Sequence, residues 1–163
     1  SEDDAVSVIG GADGPTAVTV GEQTTAGEYE EFFRELYVDE LINKYTQLSN
    51  DWQAFDAAYY SEDINVDDVI TTTEKCISTL EAIIAIEPPA TLVSYHQDVI
   101  DGAQYEIKYY EIILNACLVE KGEASFSEQE KAEMNAFVEE YMNVEIVPLH
   151  EAIGAVMDAM GYE

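Results

Sequence analysis

Basic residues are scarce in this sequence of 163 residues. Lysine and arginine together number 6, against 35 aspartate and glutamate residues, and the formal net charge at pH 7 is -29. Proteins that follow the phosphate backbone of nucleic acids, or that bind anionic lipid surfaces, need clustered lysine and arginine. The composition therefore excludes both classes as the primary function, and we expect no nucleic-acid partner.

Long hydrophobic runs are also missing. Although 47% of the residues are hydrophobic, no stretch approaches the roughly 18 consecutive apolar residues of a membrane-spanning helix. The chain opens on Ser1 and three acidic residues, where a signal peptide would be basic and then apolar. Since it also begins without methionine, we expect a mature, extracellular or cell-surface protein from which any export signal has been removed.

Cysteine is rare, and Cys76 and Cys117 are the two in the chain. If the chain folds back at Pro88 and Pro89, Cys117 lies about 16 residues beyond the level of Cys76, or on the order of 24 Å along a helix. A disulfide requires Cα atoms within about 7 Å of each other. We therefore predict two free, buried thiols that behave as small hydrophobic residues.

Apolar residues recur every three or four positions after residue 25, which is the spacing of amphipathic helices. Short connections place successive helices side by side. We therefore predict an all-α domain over residues 26–163, an antiparallel up-down-up-down four-helix bundle. The four helical segments are residues 25–60, 66–87, 93–122 and 127–163.

Local signals define the ends of these segments. Thr25 with Glu28, and Ser127 with Glu130, have the spacing of a capping box, in which each side chain satisfies a backbone donor of the first turn. Pro148 lies inside the fourth segment, where its ring would collide with the carbonyl four residues earlier. We therefore predict a kink around residues 144–148, or two helices in place of one.

Residues 1–25 have a different composition from the rest of the chain. Two short β-branched runs flank the turn residues 10–15, which predicts an extended or hairpin N-terminal arm. An isolated two-stranded hairpin is only marginally stable in water. The arm is therefore expected to lie on the helical body, to mediate self-association with another chain, or to remain mobile, and the sequence leaves all three open.

The sequence IGGADGPTA at residues 9–17 resembles the GGADGPT segment of the β subunit of sodium-pumping decarboxylases, a membrane protein family. The resemblance implies a sodium site at Asp13 and close packing at the glycines. This chain lacks the apolar segments of that family, so the resemblance does not extend to sodium pumping. The segment is also similar to the N-terminal arm of exported or lipid-anchored proteins of Gram-positive anaerobes.

Residues 63–74 resemble a calcium-binding EF-hand or dockerin loop. Asp63, Asn65 and Asp67 occupy positions 1, 3 and 5, and Glu74 occupies the bidentate position 12. Position 6, a glycine in that family, is Asp68 here. The competing interpretation makes the same residues the cap and acidic first turn of the second helix, and the unbroken apolar spacing from residue 66 favours it.

A second candidate metal site consists of Glu81, His96 and His150, which the fold-back arithmetic places within about one helical turn of each other. Two histidines and a carboxylate suit zinc or another divalent ion. The competing interpretation, which we favour, is that His96 is a hydrogen-bonded core residue. An enzyme in which Glu81 or Glu106 acts as acid or base near His96 is a further, less favoured hypothesis.

Aromatic side chains are abundant, with 11 tyrosines and a single tryptophan. Tyr45, Trp52 and Tyr110 lie at apolar-seam positions, so we expect them in the core more than in a ligand groove. The adjacent pair Tyr109 and Tyr110 is expected to place at least one ring near the surface. Tyr59 also lies at a seam position and is expected in the core. One ring of the adjacent pair Tyr59 and Tyr60 is expected near the surface.

The functional hypothesis from these patterns is a noncatalytic, exported or cell-surface helical domain that binds a protein partner or a small ligand. No paired nucleophile and base and no cofactor fingerprint occur in the sequence. The alternative is a divalent-cation module that binds calcium at residues 63–74. We expect no cofactor apart from that calcium ion.

The surplus of carboxylates predicts that stability depends on salt. Repulsion among like charges destabilises a compact state, and dissolved ions screen it. We expect the melting temperature to rise as sodium chloride is increased from about 10 to about 500 mM, because the screening length falls from about 30 Å to well below 10 Å. A melting temperature that stays constant over this range contradicts the prediction.

Overall fold

The computed structural model describes residues 26–162, and every regular element in this range is helical. A short 3-10 turn at Ala90–Leu92 leads into α3. None of the described helices combines the length and the apolar character needed to cross a membrane. The helices are α1 (Ala26–Tyr59), α2 (Val66–Ile84), α3 (Val93–Glu120), α4 (Glu128–Met142) and α5 (Pro148–Ala159).

The chain divides into two compact units, with the boundary between Leu36 and Tyr37 in α1. The described part of the first unit, residues 26–36, forms the first turns of α1, where Tyr29 stacks on Phe33 with ring centroids 6.2 Å apart. The second unit contains the rest of α1 and all the other helices. The predicted arm, the GGADGPT segment and the Thr25 cap lie outside the described residues.

The core of the second unit is formed by α1, α2, α3 and α5, each of which buries an apolar stripe. These stripes follow the spacing of three and four residues that predicts helices from the sequence. By contrast, α4 has no buried residue among its described positions. The least exposed large side chains are Leu41, Leu80, Ile83, Leu92, Tyr110 and Leu149.

The fourth predicted segment forms two helices, so the described chain has five α-helices where the sequence pattern predicts four. Pro148 is the first residue of α5, where its missing N–H costs no hydrogen bond. Val147 before it is extended, with φ -61° and ψ 127°, as expected of a residue that precedes proline. The two-helix alternative is confirmed, with a break at residues 143–147.

Two other helix ends agree with the sequence signals. Ser127 and Glu130 form the predicted capping box, in which each side chain accepts a hydrogen bond from the other residue's backbone N–H. Gly122 has φ 76°, the left-handed conformation that ends helices such as α3 at low cost. The predicted end of the second helix at residue 87 was wrong by three residues, because α2 ends at Ile84, before the prolines at 88 and 89.

Both cysteines are free thiols, as predicted. Cys76 is fully buried, beside the Tyr110 hydroxyl. Cys117 is only half-buried, so the expectation that it is buried was wrong in degree. Burial raises the pKa of the Cys76 thiol to about 11, which keeps it protonated and unreactive at neutral pH.

Candidate functional site

A cleft of about 620 Å³ lies where the break between α4 and α5 faces α1 and α3. Its volume falls in the range of sites that bind drug-sized organic molecules. The wall combines aromatic rings, apolar side chains and a few ionisable groups. Its aromatic and ionisable lining consists of Tyr45, Trp52, Glu106, Tyr110, Tyr141, Glu145 and His150.

Glu106 of α3 is the buried carboxylate of this cleft. Its side chain is only 7% exposed. Among residues 26–162, no side chain or backbone group forms a hydrogen bond or an ion pair with it. Burial raises the pKa of Glu106 from 4.5 to about 7, because the ionised form has lost most of its water and gained no partner among the described residues. A buried carboxylate in this state is costly to the fold and available to a ligand.

Phenols surround Glu106 and stay neutral near it. Burial raises the pKa of Tyr45, and the negative charge of Glu106 raises it further. The pKa values of Tyr110 and Tyr141 are also raised, first by burial and then by nearby groups that include Glu106. Because these hydroxyl groups stay protonated, they add no negative charge of their own to the cleft.

The rim of the cleft on α5 is fixed by two contacts. The Tyr45 hydroxyl lies 2.9 Å from His150 Nδ1, a hydrogen bond that joins α1 to α5. Gly102 of α3 lets α5 approach closely, because a Cβ at this position would lie 2.6 Å from the backbone nitrogen of Leu149. The start of α5 is therefore held one helical turn from Glu106.

The sequence placed the aromatic residues in the core, and the structure corrects this for Trp52. Its side chain is 48% exposed and lines the cleft together with Tyr45 and Tyr110. A seam position of α1 becomes accessible here because residues 143–147 are not helical and do not cover it.

Each adjacent tyrosine pair was expected to place one ring near the surface. This is confirmed for Tyr59 and Tyr60 and wrong for Tyr109 and Tyr110. Tyr60 is 64% exposed. Both Tyr109 and Tyr110 are buried: Tyr141 of α4 stacks on Tyr109 with ring centroids 4.1 Å apart, and Phe55 of α1 packs edge-on against Tyr110 at 5.2 Å.

His96 lies in the core with both ring nitrogens occupied. Its Nε2 is 3.3 Å from the Ile84 carbonyl oxygen, which only accepts, so Nε2 carries the proton. Its Nδ1 then accepts a hydrogen bond from the Tyr37 hydroxyl at 2.7 Å. Burial lowers the pKa of His96, which favours this neutral form. The geometry agrees with the core interpretation of this histidine.

The predicted partners of His96 lie elsewhere. Glu81 is an exposed residue of α2, and His150 lies at the cleft beside Tyr45. In the part of the chain that the structure describes, no group of three or more histidine, cysteine, aspartate or glutamate side chains is arranged to hold a metal ion. Metal binding by Glu81, His96 and His150 stays a prediction.

Residues 66–74 form the first turns of α2, and residues 63–65 lead into it. The Asn65 side chain accepts a hydrogen bond from the Asp68 backbone N–H at 3.2 Å, which makes Asn65 the N-cap. Asp67 pairs with Lys121, the residue that follows α3, at 2.7 Å. Asp63 and Glu74 are exposed. Calcium binding here stays a prediction, tested by calorimetric titration of Asp63→Ala and Glu74→Ala: saturable binding lost in both supports it, and absence of binding in the parent protein contradicts it.

The cap makes a separate prediction about stability. Asn65→Ala should destabilise the protein by about 1 kcal/mol, because a backbone donor of α2 loses its partner. Asn50→Ala is the matched control, since Asn50 is an exposed residue inside α1 and should change stability by less than about 0.5 kcal/mol. Urea unfolding measures both, and equal effects of the two substitutions would contradict the assigned cap.

Glu106 was considered in the sequence only as an acid or base near His96. The structure separates the two, since Glu106 lies ten residues along α3, beside Tyr110 and the cleft. The available signal was its position between Ala103 and Tyr110 on the buried stripe, where a carboxylate interrupts an apolar series.

Comparisons with protein-family models, with curated proteins and with solved structures found no match for this chain.

Proposed function

We propose that this chain is a noncatalytic helical domain that binds a small organic ligand in the cleft at Glu106. One observation carries the proposal: a buried carboxylate with no partner within residues 26–162 faces an open, aromatic-lined space of ligand size. An unpaired buried charge destabilises a fold, and such groups cluster at functional sites. The extracellular or cell-surface location remains part of the proposal from the sequence.

The architecture we propose is the up-down-up-down bundle, with its fourth helix broken into α4 and α5. Contacts between α2 and α3, and between α3 and α4, pair residues in opposite order along the chain, which supports antiparallel neighbours. Contacts between α1 and α3 pair residues in the same order, which supports a parallel relation. The supporting pairs are Asp67 with Lys121 and Ile84 with His96; Tyr37 with His96 and Phe55 with Tyr110; and Tyr105 with Glu140 and Lys108 with Phe137. In this arrangement the cleft is the gap that the broken helix leaves.

Binding without catalysis is supported by the state of the groups around Glu106. Burial raises the pKa of Cys76, so its thiol is a poor nucleophile. The tyrosine hydroxyls of the cleft are held in their neutral form by burial. His150 hydrogen-bonds Tyr45, whose hydroxyl is not an activated nucleophile.

Obstruction of the cleft tests the proposed function. Ser49 lies at the rim and is exposed, so Ser49→Phe adds bulk to the opening and leaves the core unchanged. Ser78→Phe is the matched control on α2, because Ser78 is exposed and lies outside the cleft. Fragments that bind the parent protein in an NMR screen should shift the Trp52 indole signal. Their affinity should fall by about tenfold or more in Ser49→Phe and stay unchanged in Ser78→Phe.

Two outcomes contradict the proposed function. One is a screen of organic fragments in which none shifts the Trp52 indole signal. The other is a set of binding fragments whose affinity is the same in the parent protein, in Ser49→Phe and in Ser78→Phe. The unfolding temperature of each variant, measured in parallel, separates an obstructed cleft from a disturbed fold.

A further inference from the structure

We infer that the ligand of this cleft is an organic cation, whose ammonium group pairs with Glu106 and whose apolar part lies against the aromatic wall. This inference rests on the proposed function and specifies its ligand class. It follows from the charge, the ring lining and the size of the cleft.

The charge of the cleft selects a positive ligand. Glu106 lies in its wall and Glu145 at its break, and its described lining contains no lysine or arginine. Lys108 lies two residues after Glu106 on α3, about half a helical turn away, and its ammonium group sits 4.4 Å from the centre of the Phe137 ring, in a different groove. A ligand carboxylate or phosphate would meet two carboxylates and no strong base.

The ring lining gives the cation a second kind of partner. Tyr45, Trp52, Tyr110 and Tyr141 all line the same space as Glu106. The faces of aromatic rings carry partial negative charge, and they attract ammonium groups within about 6 Å, tryptophan most strongly. Aromatic rings that surround a carboxylate therefore suit an alkylammonium or quaternary ammonium group better than a neutral polar group.

A metal ion fits this cleft less well than an organic cation. Metal ions need several oxygen, nitrogen or sulfur donors at about 2.0 to 2.6 Å. The described side chains of the cleft are not arranged as such a group. The volume of about 620 Å³ also exceeds what one ion or one ammonium group fills, so the ligand carries an apolar portion.

Three compounds with the same ring and chain test the inference: 3-phenylpropylamine, 3-phenylpropan-1-ol and 3-phenylpropanoate. Each has a phenyl ring on a three-carbon chain, and the end group is positive in the amine, neutral in the alcohol and negative in the propanoate, whose carboxylate contains the third chain carbon. Trp52 is the single tryptophan of the sequence and lies in the cleft, so its fluorescence reports binding. At about pH 8 we expect the amine to bind at least about tenfold more tightly than the alcohol, and the propanoate to bind most weakly.

Substitution of Glu106 tests whether this residue causes the preference for the amine over the alcohol. With Glu106→Gln the amine should lose its advantage over the alcohol, whose affinity should change by less than about threefold. Glu111→Gln is the matched control, because Glu111 is an exposed residue of α3 outside this cleft and removes the same charge. The control should keep the full preference for the amine.

Each remaining outcome overturns a defined part of the account. If the alcohol or the propanoate binds as tightly as the amine, the cation inference fails and the cleft still binds a ligand. If the amine keeps its preference in Glu106→Gln, the assigned pairing fails. If none of the three compounds binds while other fragments do, the ligand class is wrong. If no compound of either screen binds, the proposed function itself fails.

Discussion

Replacing Glu106 with glutamine is expected to stabilise the folded protein at about pH 8 by about 3 kcal/mol. Burial raises the pKa of Glu106 from 4.5 to about 7, and each pKa unit corresponds to about 1.4 kcal/mol. Since the pKa is higher in the folded state, ionisation costs stability. The cost is absent below about pH 4.5, grows as pH rises and is complete above about pH 7.

The two unfolding curves should therefore converge at about pH 4 and separate as pH rises to about 7. The ionisable groups around Glu106 are common to both proteins: Tyr45, Cys76, Tyr110, Tyr141, Glu145 and His150. Glu111→Gln removes one equal charge at an exposed position and controls for the general repulsion in an acidic chain. Urea unfolding at several pH values measures the effect, and a Glu106→Gln protein that is less stable than the parent at pH 8 would contradict it.

The second large effect is expected at Gly102. A Cβ there would lie 2.6 Å from the Leu149 nitrogen and 2.7 Å from its Cα, and these backbone atoms cannot move without α5. Gly102→Ala should destabilise the protein by about 1–3 kcal/mol, although alanine favours helix over glycine. Because α5 carries His150, the same substitution should also weaken binding in the cleft.

Gly154→Ala, on α5, is expected to stabilise the protein, in contrast to Gly102→Ala. A Cβ at Gly154 meets no atom within 4 Å, so alanine adds helix propensity without a clash. We expect it to stabilise the protein by about 0.5–1 kcal/mol. Thermal unfolding compares the two variants. If Gly102→Ala leaves stability unchanged, α3 and α5 do not approach closely at this position. The Gly102–Leu149 contact then does not fix the rim of the cleft.

Much of the fold follows from local signals in the sequence. The capping box at Ser127 and Glu130, the stop at Gly122 and the break before Pro148 all depend on backbone chemistry within a few residues. Such signals need no knowledge of tertiary packing. This is why the helices could be predicted closely.

The site was harder to predict because it depends on what faces each helix. Apolar spacing marks Trp52 as a seam residue, yet a seam residue is buried only where a helix covers it, and residues 143–147 leave it accessible. Glu106 is a charged residue on a buried stripe, and its environment is set by α1 and by the break before α5. The spacing of apolar residues along one helix does not show which segments face Trp52 or Glu106.

The titration of the Glu106 carboxyl group itself tests the central claim most directly. Its ¹³C chemical shift can be followed from about pH 4 to about pH 9, in the free protein and with saturating 3-phenylpropylamine. We predict a midpoint near pH 7 in the free protein and a midpoint at least about one pH unit lower with the amine, because a bound cation favours the ionised form. A midpoint near the ordinary value of about 4.5, unchanged by the amine, would contradict both the buried carboxylate and its role in binding.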